Sequence, residues 1–166
     1  MGRLTGLTGI VVTGVRGSSW LPRSRRMETR RVRALASLPV TEVLIATDDD
    51  ATYDEVEAAL ADESTTVTRV RAGVLVGPAV LENGPDLVIL DMQIGNMGGI
   101  AACLHLRHEA GETRLPDVPV LMLLDRDADV HLARRSGADG WLVKPLDAFA
   151  LRTVATEILG RASSAA

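Results

Sequence analysis

From Val40 onward, short and almost purely apolar runs alternate with longer stretches whose apolar residues return at helical spacing. No other feature of the chain limits its fold so tightly. The runs are 42–47 (EVLIAT), a weaker one at 67–70 (VTRV), 86–90 (DLVIL), 118–124 (VPVLMLL) and 141–143. A strand with one wet face alternates polar and apolar residues, whereas a strand apolar throughout is covered on both faces. Five such runs separated by helices predict an α/β fold, a five-stranded parallel sheet wound on both sides by right-handed crossovers.

The helical stretches carry local signals. Thr52 and Glu55 have capping-box spacing, and Val56, Ala59 and Leu60 then share one face. The stretch after residue 70 contains Gly73, Gly77 and Pro78 and predicts a poorly formed helix. Further helices are expected over 100–108 and 128–135, the latter stopped by Gly137. A last helix, capped by Asp147 and ending near Gly160, turns Leu151, Val154, Ala155 and Ile158 inward.

Charge divides the chain. Residues 1–39 carry eight arginines against one acid, Glu28, while residues 40–166 carry 10 cations and 21 acids. Halves this different seldom form one folding unit. The expected organisation is a disordered basic extension over 1–39, one domain over 40–162 and a tail over 163–166. The alternative for 1–39 is sequence upstream of the true start. A body so acidic is a poor nucleic-acid binder. One cysteine, Cys103, excludes an internal disulfide, and no apolar run approaches the ~20 residues of a membrane span. A cytoplasmic protein is expected.

Ligands of open parallel sheets bind beyond the carboxyl ends of the strands. Asp48, Asp49 and Asp50 follow the first strand, Asp91 the third, Asp125 the fourth, and Lys144, the only lysine, the fifth. Converging carboxylates repel one another unless a cation sits among them, and hard oxygen donors suit Mg²⁺. A carboxylate is also a nucleophile toward phosphorus. Singly, each acid is better explained structurally, Asp50 as a helix N-cap. Together with the lone lysine they point to one site.

The texts LIATDDDA, PDLVILDMQIGNMGG and GADGWLVKPL make residues 41–161 resemble the receiver domains of two-component response regulators. That resemblance implies a CheY-like sheet of strand order 2-1-3-4-5. It implies Asp91 as phosphoacceptor, with Mg²⁺ held by Asp48, Asp49, Asp91 and the backbone carbonyl of Gln93. Lys144 would grip the phosphoryl group, and a cis peptide would join it to Pro145. The implied partners are a histidine kinase, a downstream protein and a second copy bound through the fourth-helix and fifth-helix face. No DNA-binding module and no membrane are implied.

Three switch positions depart from the family pattern. Leu124 stands where Thr or Ser is usual, Asp125 where a small residue is usual, and Trp141 where Tyr or Phe is usual. Asp125 is expected to pair with Lys144 and hold one state without phosphate. Gly95 and Gly98 are expected to loosen the loop after Asp91. His105, His108 and His131 are expected at the surface, and Cys103 in the core. The expected function is a stand-alone receiver that signals by protein contacts and is not an enzyme in the ordinary sense. A phosphorylation-independent pseudo-receiver is the alternative. A hydrolytic phosphatase is disfavoured by Gln93, where a second acid would be needed.

Overall fold

The computed structural model describes residues 40–165, so the basic extension expected over 1–39 lies outside the described residues. Strands β1 (Thr41–Ala46), β2 (Thr65–Val70), β3 (Leu87–Asp91), β4 (Val120–Leu124) and β5 (Gly140–Val143) form one sheet. Between and after them run helices α1 (Asp50–Leu60), α2 (Val76–Asn83), α3 (Gly99–Gly111), α4 (Val130–Arg135) and α5 (Ala148–Ala165). Every pairing is parallel, in the order β2-β1-β3-β4-β5. The parallel five-stranded sheet is the one expected from the apolar runs, and its strand order is the one the resemblance implies.

Side chains of a strand alternate between faces, and in the central strands β1, β3 and β4 both faces are largely dry. Leu44, Val88, Leu90, Val120, Met122 and Leu124 pack against α2, α3 and α4. Val43, Ile45, Leu87, Ile89, Leu121 and Leu123 pack against Val56 and Leu60 of α1 and Leu151 and Ile158 of α5. All residues of β3 and β4 are buried, which is why their sequences lack polar alternation. Cys103 is fully buried and donates its S–H to the Ser136 carbonyl, and burial pushes its thiol up. His105, His108 and His131 are exposed, as expected.

Several local expectations are corrected. Thr52 does not cap α1, and neither does Asp50. Asp49 is the N-cap, its Oδ2 accepting the Thr52 N–H at 2.8 Å. Asp50 is instead the first helical residue, ion-paired with Arg69 (2.6 Å) and Arg71 (2.7 Å). The helix expected to be poor is a short 3₁₀ turn, Gly73–Leu75, running into a regular α2 closed by Gly84 in the left-handed region. Pro78 is tolerated there because first-turn N–H groups need no helical acceptor. The last helix passes Gly160 and continues through Ala165. One glycine costs only about 1 kcal/mol against alanine, and the Ser163 and Ser164 hydroxyls fold back onto the Leu159 and Gly160 carbonyls.

Candidate functional site

Strand register assembles the site. Ala46 lies opposite Leu90, so the next residues of the two strands, Thr47 and Asp91, come side by side. Leu124 lies opposite Val143, which puts Asp125 beside Lys144 in the same way. The Lys144 N–H donates to the Leu124 carbonyl at 2.8 Å, carrying the ladder that one step further. The Lys144–Pro145 peptide is cis.

Asp91 ends β3 and is 2% exposed. A charge so placed is costly unless each oxygen is hydrogen-bonded. Lys144 Nζ donates to Oδ1 at 3.0 Å and to Oδ2 at 2.9 Å. The Gln93 N–H adds a bond to Oδ1 at 3.1 Å, and the Thr47 hydroxyl one to Oδ2 at 2.9 Å. Both oxygens therefore accept two bonds. Lys144 also lies 3.4 Å from Asp125 Oδ1. Burial lowers the lysine pKa, but the hydrogen bond and charge of Asp91, helped by Asp125, outweigh that and leave it above its ordinary value.

Asp48 and Asp49 stand at the mouth of the site, exposed. Asp48 Oδ2 accepts the Gly95 N–H at 3.1 Å, tying the loop after β3 to the end of β1. Asp49 is held below the usual carboxylate range by its hydrogen bonds from Thr52. Among the described residues, no three His, Cys, Asp or Glu side chains lie close enough together to enclose a metal ion. The donor chemistry nonetheless fits Mg²⁺. Asp48 and Asp49 each commit only Oδ2, leaving Oδ1 without a hydrogen-bond donor among the described residues.

The loop after Asp91 is tied at several points. The Gly73 and Val74 N–H groups donate to the Gly95 and Asn96 carbonyls, and Gly99 N–H to Met92. Its left-handed residues are Asn96 (φ 58°) and Met97 (φ 87°), not the two glycines. At the three unusual positions, Leu124 is fully buried with the core under α2–α4. Asp125 is 35% exposed at its side chain, and Trp141 is half-buried with the Arg134 guanidinium 4.9 Å above its ring.

Thr47 is the residue that sequence reasoning passed over. In the sequence it is simply the last residue of the run EVLIAT, yet it is fully buried and bonded to Asp91. Its signal lay in being a hydroxyl one step before the acids on the strand adjoining Asp91.

A doubly wound parallel sheet with a buried, lysine-bridged aspartate at its carboxyl edge defines the receiver class. The family described as the response regulator receiver domain matches residues 43–156, and this chain belongs to it. The chain is 33% identical over 109 residues to the transcriptional regulatory protein CseB of Streptomyces avermitilis, covering 64% of this chain and 44% of that one. It is 35% identical over 105 residues to the DNA-binding response regulator MtrA of Mycobacterium tuberculosis, covering 61% and 43%. The match thus spans less than half the length of these regulators. A crystal structure of a putative response regulator from Chloroflexus aurantiacus superposes with a TM-score of 0.66 at 25% identity, over 73% of this chain and 98% of that one. Among the described residues, no helix is long and apolar enough to cross a membrane.

Proposed function

We propose that this chain accepts a phosphoryl group on Asp91 from a histidine kinase and signals through contacts with other proteins. The observation carrying this is the bridge from Lys144 Nζ to both oxygens of a buried Asp91, at 3.0 and 2.9 Å. In the transfer, one Asp91 oxygen bonds to phosphorus as the bond to the donor's imidazole nitrogen breaks, and the imidazole leaves with the electron pair. Lys144 slides from the carboxylate to the incoming phosphoryl oxygens and keeps their charge neutralised. The Gln93 N–H holds Asp91 oriented meanwhile. Mg²⁺ held by Asp48, Asp49, Asp91 and the Gln93 carbonyl would add further charge neutralisation.

Intact mass after incubation with acetyl phosphate and Mg²⁺ tests this. The expected result is a gain of one phosphoryl group, lost in Asp91→Asn. No gain, with the fold intact, refutes it.

That outcome would favour the second reading, an interaction module that works unmodified. Its support is the Lys144–Asp125 pair, which occupies the phosphoryl-binding lysine with a resident carboxylate, together with Leu124 in place of a hydroxyl. On either reading the face of α4 and α5 is the proposed surface for a second copy.

A further inference from the structure

We propose that Thr47 is a positioning residue that restrains Asp91, its hydroxyl withholding Oδ2 from attack on phosphodonors. The inference rests on Asp91 being the phosphoacceptor.

The Thr47 side chain is fully buried, with Oγ1 2.9 Å from Asp91 Oδ2. The same oxygen accepts the Asp49 N–H at 3.2 Å. A hydroxyl has one proton to give. With an N–H directed at one lone pair and a carboxylate oxygen on the other side, that proton points at Asp91. The arrangement is held from both ends, because β1 register sets Thr47 beside Asp91 and Asp49 caps α1.

The donors around Asp91 differ in mobility. Lys144 is 22% exposed at its side chain and has a long stem, so it can follow an incoming phosphoryl group. Thr47 is β-branched, buried and bound on both sides, and it stays. When Lys144 moves, Oδ2 still carries the hydroxyl and Oδ1 still carries the Gln93 N–H. Neither oxygen presents both lone pairs free. Once Lys144 has moved, removing the hydroxyl leaves Oδ2 free, and the net worth of one hydrogen bond to a charged carboxylate corresponds to roughly a ten- to hundredfold faster attack. With Leu124 at the end of β4, Thr47 on the opposite neighbouring strand is the side-chain hydroxyl bonded to Asp91 among the described residues.

The test compares wild type, Thr47→Val and Thr47→Ser by the rate of mass gain with acetyl phosphate and Mg²⁺, alongside thermal midpoints. Valine keeps the shape and loses the hydroxyl; serine keeps the hydroxyl and loses a methyl. The expected result is a rate roughly ten- to hundredfold higher in Thr47→Val and restored toward wild type in Thr47→Ser. A packing role would give the reverse order, with serine the disturbed variant, and would overturn the proposal. So would a Thr47→Val rate equal to or below wild type while wild type gains mass. No gain in any of the three proteins would bring down the phosphoacceptor reading, and this inference with it. A gain in Thr47→Val alone would support both.

Discussion

Asp125→Ala removes the carboxylate 3.4 Å from Lys144 Nζ and leaves the four hydrogen bonds to Asp91 in place. Two unit charges at that separation interact by about 5 kcal/mol at an effective dielectric constant of 20, and by about 1 kcal/mol in water. The Asp125 side chain is 35% exposed and Lys144 22%, so solvent screening places the pair toward the lower figure. A reasonable value is about 1–2 kcal/mol, with two consequences of the same sign. On the phosphoacceptor reading proposed above, Lys144 is freed for the phosphoryl group, and a negative charge is removed from where phosphoryl charge would arrive. Phosphorylation by acetyl phosphate should therefore quicken by roughly 5- to 30-fold. Intact-mass time courses would measure it. The ratio of variant to wild-type rates should shrink as salt is raised, since the effect is electrostatic and partly exposed. A rate unchanged or lowered in a variant of normal thermal midpoint would refute the reasoning, and would mean that the Lys144–Asp125 contact has no hold on the site.

Two further outcomes follow from the geometry. In Gly73→Ala the new Cβ would lie 1.8 Å from the Met97 carbonyl oxygen, so the backbone must part, and denaturant unfolding should show a loss of about 1–3 kcal/mol; stability equal to wild type would contradict the close approach. Lys144 binds its proton more tightly in the folded chain than its ordinary 10.5 allows, so its contribution to stability is complete below that pH and is lost as pH rises through the higher folded value. The stability gap between wild type and Lys144→Gln should accordingly narrow in strongly alkaline solution, and a gap that stays constant there would speak against it.

Much of this protein is legible without coordinates. Unbroken apolar runs such as DLVIL require cover on both faces, and alternation with helices leaves a parallel sheet with its site beyond the strand ends. That was enough to bring Asp48, Asp49, Asp91 and Lys144 to one edge. Cap identity and helix ends were less legible, because they depend on competition. Asp49, Asp50 and Thr52 all offer capping chemistry, and the choice fell to the residue whose extended backbone aims its carboxylate at the Thr52 N–H, while Arg69 and Arg71 claimed Asp50. Gly160 reads as a stop, yet one glycine costs only about 1 kcal/mol and does not by itself end the helix, which runs on through Ala165. What only the tertiary structure decided is which side chains touch. Residues 44 positions apart, Thr47 and Asp91, meet because β1 and β3 pair in one register and not the neighbouring one. A slip of one residue would turn Thr47 to the other face. Pattern specifies a strand's faces, but the register that joins one strand's hydroxyl to another's carboxylate is a property of the assembled sheet.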